Sequence, residues 1–245
     1  MKNQRKRILE IEPKGKAVFV GDTHGDLNAS TYVIEKYLKP DNKIIFLGDY
    51  VDRGWDSKGN IDFLLRQKEK NPEQVYLLLG NHEGWGAVQC YPCNFWESAN
   101  EKEKAYYKKR FADLPLAVSI GNIIALHGAL PCVKELKEIN DIMDGDNNWM
   151  SIVWGKFYDV KGGLIGGDYR NEAPQFGRDY FNEAMRKLGK KVLIRAHQHN
   201  SFPAMYNDRC LTLYTSSCYP RERLIAVADL EKEINSAEDL IIESI

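Results

Sequence analysis

Short apolar runs recur along the first half of the chain, and each closes on a glycine and a polar residue. Lys16-Ala17-Val18-Phe19-Val20 leads into Gly21-Asp22-Thr23-His24-Gly25. Lys43-Ile44-Ile45-Phe46-Leu47 ends in Gly48-Asp49, and Gln74-Val75-Tyr76-Leu77-Leu78-Leu79 ends in Gly80-Asn81. Runs of this length and composition predict strands. Between them Leu27, Thr31, Ile34 and Leu38 follow helical spacing, with Asp26 placed to cap, and Ile61, Leu64 and Leu65 mark a second helix. Strands alternating with helices imply βαβ units. In such sheets, polar residues just past the carboxyl ends of the strands form the site.

The second half is richer in strands. Ala117-Val118-Ser119-Ile120 and Ile123-Ile124-Ala125-Leu126 flank Gly121-Asn122 and read as a hairpin. Further strands are expected at 192–194, 211–214 and 224–227. The stretch 85–110 shows no strand pattern and is expected to form helices and loops near the site. Ser236-Ala-Glu-Asp has the spacing of a capping box. The expectation is an α/β fold of two mixed sheets packed together with helices outside, as one domain over 1–245. There is no internal repeat, low-complexity tract or linker.

Composition narrows the class. The 245 residues are 43% hydrophobic, enough for a sizeable core. Lys plus Arg total 34 against 35 Asp plus Glu, a formal charge of -1 that argues against a general nucleic-acid binder. Five cysteines, an odd number, argue against a disulfide scaffold and for a reducing compartment. No apolar run approaches the ~18 residues that cross a bilayer. The start, MKNQRKRILEIEPKGK, has no apolar segment of the kind a secretory signal needs. A cytoplasmic monomer without membrane or nucleic-acid partners is expected. Its basic start, 2–7, is expected to be a solvated end, and Cys90 and Cys93, at C-x-x-C spacing, two free thiols, with a redox or metal role as the alternative.

The candidate chemistry sits at the strand ends. Of the five histidines, His24, His82, His127 and His197 each follow an apolar run closely, beside Asp22, Asp49 and Asn81. Structural histidines would be scattered, so this clustering points to a metal site. Asp22 and His24 are two apart, and extended backbone would aim both to one side. Asp49 and Asn81 end the next strands, and His127 and His197 could complete the set. A carboxylate shared between two cations ~3.5–4 Å apart would let five or six groups hold the pair. His, Asp and Asn without thiolate suit Mn, Fe, Zn or Co. Arg53, in a glycine-flanked loop, is placed to grip two phosphate oxygens. His82 is the natural general acid, with Asp52 able to orient it and raise its pKa.

Gly21-Asp22-Thr23-His24-Gly25, Gly48-Asp49-Tyr50-Val51-Asp52-Arg53-Gly54 and Gly80-Asn81-His82-Glu83 resemble, in order and spacing, the signature motifs of the phosphoprotein phosphatase family. These are the metal-dependent serine/threonine phosphatases of the calcineurin-like metallophosphoesterase superfamily. The resemblance continues through Leu126-His127-Gly128-Ala129-Leu130, Arg195-Ala196-His197-Gln198 and 213–219, covering about residues 16 to 229. It implies a central β-sandwich flanked by helices, with the active site at the strand ends. It implies a first metal on Asp22, His24 and Asp49. The second metal falls to Asn81, His127 and His197, with Asp49 bridging. The cations would be manganese, with iron or zinc as alternatives. His82 with Asp52 would protonate the leaving group, Arg53 and Asn81 would hold the phosphate, and Tyr219 would lie over the metals. Arg170, six residues before Phe176-Gly177, takes the place of a second phosphate-binding Arg. The implied reaction is removal of phosphate from phosphoserine and phosphothreonine in protein or peptide substrates by a metal-bridging hydroxide. A diadenosine polyphosphate or nucleotide hydrolase on the same scaffold is the alternative, with Trp55, Trp85, Tyr106 and Tyr107 as candidates to receive a base. Ala129 replaces a usual Gly, and the short stretch after Tyr219 resembles a compact prokaryotic-type member. His199, two after His197, is read as lying in the outer shell or on the surface, with a ligand role as the alternative.

Overall fold

The computed structural model describes residues 5–170 and 172–245. In chain order it has strands β1 (Ile8–Ile11) and β2 (Lys16–Val20), helix α1 (Leu27–Tyr37), strand β3 (Lys43–Phe46), helix α2 (Ser57–Lys70) and strand β4 (Val75–Leu77). Helices α3 (Asn94–Ser98) and α4 (Glu101–Ala112) precede the hairpin of β5 (Ala117–Ile120) and β6 (Ile123–Leu126). Helix α5 (Asn147–Trp154) leads into three short strands, β7 (Lys156–Phe157), β8 (Leu164–Gly166) and β9 (Gln175–Phe176). Helix α6 (Arg178–Leu188) is followed by β10 (Val192–Arg195), β11 (Ala204–Met205), β12 (Cys210–Thr212), β13 (Leu224–Asp229) and β14 (Ile241–Ser244).

Two mixed sheets form the sandwich, in the orders β1-β5-β6-β10-β12-β11 and β14-β13-β2-β3-β4. Side chains alternate across a strand, and the apolar runs divide accordingly. Ala17, Phe19, Ile45 and Leu47 share one core cluster with Val118, Ala125 and Ile194 of the other sheet. Val18, Val20, Ile44 and Phe46 join Val33 and Leu64 of the covering helices in a second cluster. Both faces are therefore buried, which is why these strands read as unbroken apolar runs rather than alternating ones.

Register places the site. Val20 pairs with Phe46 and Phe46 with Leu77 along the parallel β2, β3 and β4, so the three strands end level. Ala125 of β6 pairs with Ile194 of β10, which pairs with Leu211 of β12. Asp22 then joins the two sheets through a parallel bridge to Tyr214.

Several local expectations hold. Asp26 caps α1 by accepting from the Ala29 N–H at 3.0 Å, and Ser236 and Asp239 form a reciprocal box around a single turn at Ala237–Asp239. The region 85–110 is helical where it is regular.

Three features depart from the sequence reading. A third, three-stranded sheet, β7-β9-β8, lies beside the sandwich. Its strands are two or three residues long, too short to show a period. The edge strands β1 and β14 were not anticipated, because a half-exposed edge carries little apolar pattern. The basic start is not simply solvated. Arg7 is buried and pairs with Asp144, and Arg5 donates to the Leu114 carbonyl, while Lys2 lies outside the described residues. Among the described residues no helix is long and apolar enough to cross a membrane.

Candidate metal centre

Asp22, Asp49 and Asn81 leave the level ends of β2, β3 and β4, and His127 and His197 leave β6 and β10 opposite them. All are buried except His197, which is partly so. Three rings are fixed from behind by main-chain carbonyls. His24 Nδ1–H donates to Val51 O at 2.8 Å, His127 Nδ1–H to Leu47 O at 2.9 Å and His197 Nε2–H to Trp154 O at 3.1 Å. Each ring thereby offers its other nitrogen to one common space. His24 Nε2 and His127 Nε2 lie 3.6 and 3.4 Å from Asp49 Oδ2. His197 Nδ1 and His127 Nε2 lie 2.9 and 3.1 Å from Asn81 Oδ1. One carboxylate oxygen thus sits between two sets of donors: His24 on one side, His127, His197 and Asn81 on the other.

This donor set fits divalent cations, because imidazoles oriented by outer hydrogen bonds, carboxylates and a carboxamide suit borderline metals. These buried groups perturb one another strongly. Burial and the Asp49 charge push the Asp22 carboxyl up to about 7. Burial also opposes ionisation of Asp49, but the His127 and His82 rings outweigh it and hold Asp49 well below the usual carboxylate range. Burial lowers His24 to about 3, keeping its ring neutral as a ligand requires.

The local backbone differs from the extended form expected at the motifs. His24, Asp49, Asp52, Arg53 and His197 all have left-handed φ, between 39° and 67°. His82 is helical, so a tight turn rather than an extended chain separates it from Asn81. Asn81 faces His127 and His197, while His82 Nδ1 lies 2.6 Å from Asp52 Oδ2. Asp52 Oδ1 accepts from Phe95 N–H at 2.7 Å. His82 Nε2, on the far side of the ring, is 4.0 Å from Asp49 Oδ2. Burial disfavours the imidazolium, but Asp49 and Asp52 outweigh it and raise His82 well above its ordinary value.

A cavity of about 430 Å³ opens onto this centre. Asp22, His24, Asp49, Asn81, His82 and His197 form its floor, with Arg53 and Tyr219 on its wall. The Arg53 guanidinium lies 5.6 Å over the Tyr219 ring, and His199 stacks on the same ring at 4.5 Å. His199 therefore belongs to the wall of the cavity, beside the ligand set.

Arg170 is not part of that wall. It is exposed, with its main-chain N–H bonded to Asp168 at 2.9 Å. Gly167 and Tyr169 both have left-handed φ and turn this segment back within the small sheet. Spacing from Phe176-Gly177 could not anticipate that turn. The aromatic candidates also fall elsewhere. Trp55 is 99% exposed, Trp85 stacks on Trp96 at 5.1 Å, and Tyr106 and Tyr107 line a separate cleft.

Sequence reasoning missed other residues. Glu83 is buried, and its carboxylate accepts from the N–H groups of Asp49, Tyr50 and Gly80 at 2.8, 2.8 and 3.1 Å, locking two motif loops together. Its position as the last residue of Gly-Asn-His-Glu was the only signal. Gly80 is required there, since a Cβ would lie 2.3 Å from Asp49 N. Cys90, Tyr91, Trp154, Lys156 and Tyr158 also line the cavity, and none stands in a motif.

Comparison with known proteins places this arrangement. Residues 15–201 match the family model described as calcineurin-like phosphoesterase. The chain is 26% identical over 228 residues to a probable serine/threonine-protein phosphatase of Encephalitozoon cuniculi, covering 86% of this chain and 49% of that protein. It is 29% identical over 220 residues to the serine/threonine-protein phosphatase PP2A-like PPG1 of Candida albicans, covering 82% of this chain and 51% of that protein. It thus spans about half the length of these two relatives. Among solved structures, a protein serine/threonine phosphatase from Saccharomyces cerevisiae, with similarity to human phosphatase PP5, superposes with a TM-score of 0.81 at 21% identity. That match covers 99% of this chain and 84% of the yeast chain, and it speaks to the fold. With its sandwich, its strand-end donors and a family match over most of its length, the chain belongs to the calcineurin-like phosphoesterase family.

Proposed function

We propose that this protein hydrolyses phosphomonoesters with two divalent cations, and that its substrates are phosphoserine and phosphothreonine in proteins or peptides. The observation that carries the reading is Asp49 Oδ2, 3.6 Å from His24 Nε2 and 3.4 Å from His127 Nε2, with His82 lining the same cavity and Asp52 buried behind its ring. Asp22, His24 and Asp49 would hold one cation, and Asp49, Asn81, His127 and His197 the other, with manganese as the proposed metal and iron or zinc as alternatives. Bound there, two cations supply Lewis acidity to the phosphoryl oxygens and acidify a water molecule.

The chain's own residues do the rest. Arg53, on the cavity wall, pairs its guanidinium with phosphoryl oxygens, and Asn81 orients the same group through its amide. Asp52 fixes the His82 ring through Nδ1, so that Nε2 faces the cavity. As the ester P–O bond breaks, Nε2–H passes its proton to the departing alkoxide, which leaves as the serine or threonine hydroxyl. Tyr219 keeps Arg53 over the centre. The serine/threonine phosphatases among the relatives support the substrate class. The proposed state is a cytoplasmic monomer.

The test is activity after chelation and re-addition of single metals, on phosphopeptides and on dinucleoside polyphosphates. Metal-dependent release of phosphate from the peptides is expected. Activity that survives chelation, or that is confined to the dinucleotides, overturns the reading.

A further inference from the structure

Among the cavity side chains that the proposed chemistry leaves unused, Cys90 lies against the acid. Cys90 is buried, lines the same cavity, and has its Sγ 3.5 Å from His82 Nδ1, the nitrogen that also faces Asp52. Asp52, His82 and Cys90 each present a ligand atom within 4.8 Å of the others, and all three residues are buried. Cys93 does not complete a paired-thiol motif with Cys90, since its Sγ is engaged by Glu97 at 3.4 Å. The neighbours that matter to Cys90 are therefore the imidazole and the carboxylate.

The separation suits a cation. Zinc bonds of about 2.3 Å to sulfur and 2.0–2.1 Å to nitrogen, at a tetrahedral angle, put the two ligand atoms about 3.5 Å apart. That is the distance observed between Cys90 Sγ and His82 Nδ1. Asp52 Oδ2, at 2.6 Å from Nδ1, is at hydrogen-bond range and must draw back by several tenths of an ångström. Its other oxygen, anchored on Phe95 N–H, gives it a pivot. Cys90 and His82 both line the cavity, from which a cation and a water as fourth ligand would enter past the Cys90 thiol. Thiolate, imidazole and carboxylate together select softer divalent cations such as zinc, cobalt or cadmium, whereas the adjoining oxygen- and nitrogen-rich set also accepts manganese.

We propose that Cys90, His82 and Asp52 form a third, inhibitory site for a zinc-class cation beside the dinuclear centre. A cation bound by Nδ1 and the Cys90 sulfur takes the place of two protons, the one on Nδ1 that Asp52 holds and the one on the thiol, and both are released to solvent. The ring then carries only the Nε2 proton and loses the imidazolium form that gives a proton to the leaving group. Binding itself does not depend on the proposed activity. The inhibition rests on the acid role assigned to His82.

Two readouts separate these parts. The first uses cobalt(II) added to manganese-loaded protein. A near-ultraviolet thiolate-to-cobalt charge-transfer band, with one further cobalt per chain by elemental analysis, is expected in the wild type and not in Cys90→Ser. A band that persists in Cys90→Ser, or its absence from the wild type, overturns the site. The second is zinc inhibition of the manganese-loaded enzyme, each variant normalised to its own uninhibited rate. The half-inhibitory zinc concentration should rise at least ~10-fold in Cys90→Ser, since even losing an outer partner of a ligand costs ~10–100-fold in metal affinity. Equal inhibition of both proteins places the inhibitory zinc elsewhere and overturns the switch. A Cys90-dependent band without inhibition keeps the site and overturns the acid role of His82.

Discussion

Asp52→Asn probes the proposed acid without touching a proposed ligand of the dinuclear centre. Asp52 and His82 are buried, and Asp52 serves two donors at once, Phe95 N–H at 2.7 Å and His82 Nδ1–H at 2.6 Å. Asparagine has the same shape but one acceptor oxygen, so one of these donors must face an amide NH₂. A hydrogen bond to a charged group contributes about 1.5–3 kcal/mol. At about 1.4 kcal/mol per decade, losing that stabilisation from the His82 imidazolium lowers kcat ~10–100-fold where proton donation limits the rate. Removing the acid outright, in His82→Asn, should cost ~10²–10⁴-fold. The loss must depend on the leaving group. A phosphoserine peptide releases an alkoxide that needs the proton, while p-nitrophenyl phosphate releases a phenolate that hardly does, so the aryl ester should lose at most ~3-fold. The double variant should be no slower than His82→Asn alone, because Asp52 reaches the reacting group only through that ring, its bond to Phe95 N–H being structural. Steady-state kinetics on both substrates, with metal content measured on the same samples, decide the matter. Equal losses on both esters, or loss of metal with Asp52→Asn, would refute the reasoning.

Asp49→Asn removes the charge shared by the two donor sets and should abolish most activity together with the second metal; two metals per chain and near-wild-type turnover would overturn the dinuclear assignment. Arg53→Ala should lower kcat/KM by about 2–4 kcal/mol and weaken inhibition by free phosphate in parallel, with Lys restoring only part. Arg170→Ala should leave both quantities unchanged, as expected of an exposed side chain off the cavity wall, and a loss comparable to that of Arg53→Ala would place it back at the phosphate. Glu83→Ala strips the acceptor from three buried main-chain N–H groups, each costing about 1–3 kcal/mol unsatisfied, so thermal denaturation should show a large drop in stability. A melting temperature within a few degrees of wild type would mean that the two loops are held by something else.

The two halves of the fold were unequally legible. The central strands announced themselves because Phe19 and Ile45 face the inter-sheet core while Val18, Ile44 and Phe46 face the helices, leaving no polar position between them. The edge strands gave no such signal: in β1 Glu10 is exposed, and in β14 Ile241 is 58% exposed. The small sheet owes its existence to main-chain pairing of two- and three-residue segments, which no side-chain period records. Of the site, the residues that follow strand ends converge as their order implies, since level strands bring their next few residues together. Arg170 and the aromatic candidates lie off the cavity wall, because their positions depend on loop turns set by tertiary contacts.

The same reasoning explains why the motifs are compact. Five residues of the site hold left-handed backbone without being glycine, a conformation that costs on the order of 1 kcal/mol or more each unless the surroundings enforce it. The enforcement is visible as hydrogen bonds between motifs rather than within them. His24 N–H donates to Asp49 O at 2.8 Å, Gly25 N–H to Tyr50 O at 2.8 Å, and His82 N–H to Asp49 Oδ1 at 3.0 Å. Glu83 then ties the Asp49 and Gly80 loops through one carboxylate. In the segment Gly-Asn-His-Glu, the glycine allows the neighbouring loop to approach and the asparagine faces the metal donors. The histidine faces the cavity, and the glutamate holds the two loops at that distance. Such a segment tolerates few substitutions because each position answers to a different neighbour, and that constraint makes so short a string of residues informative about chemistry.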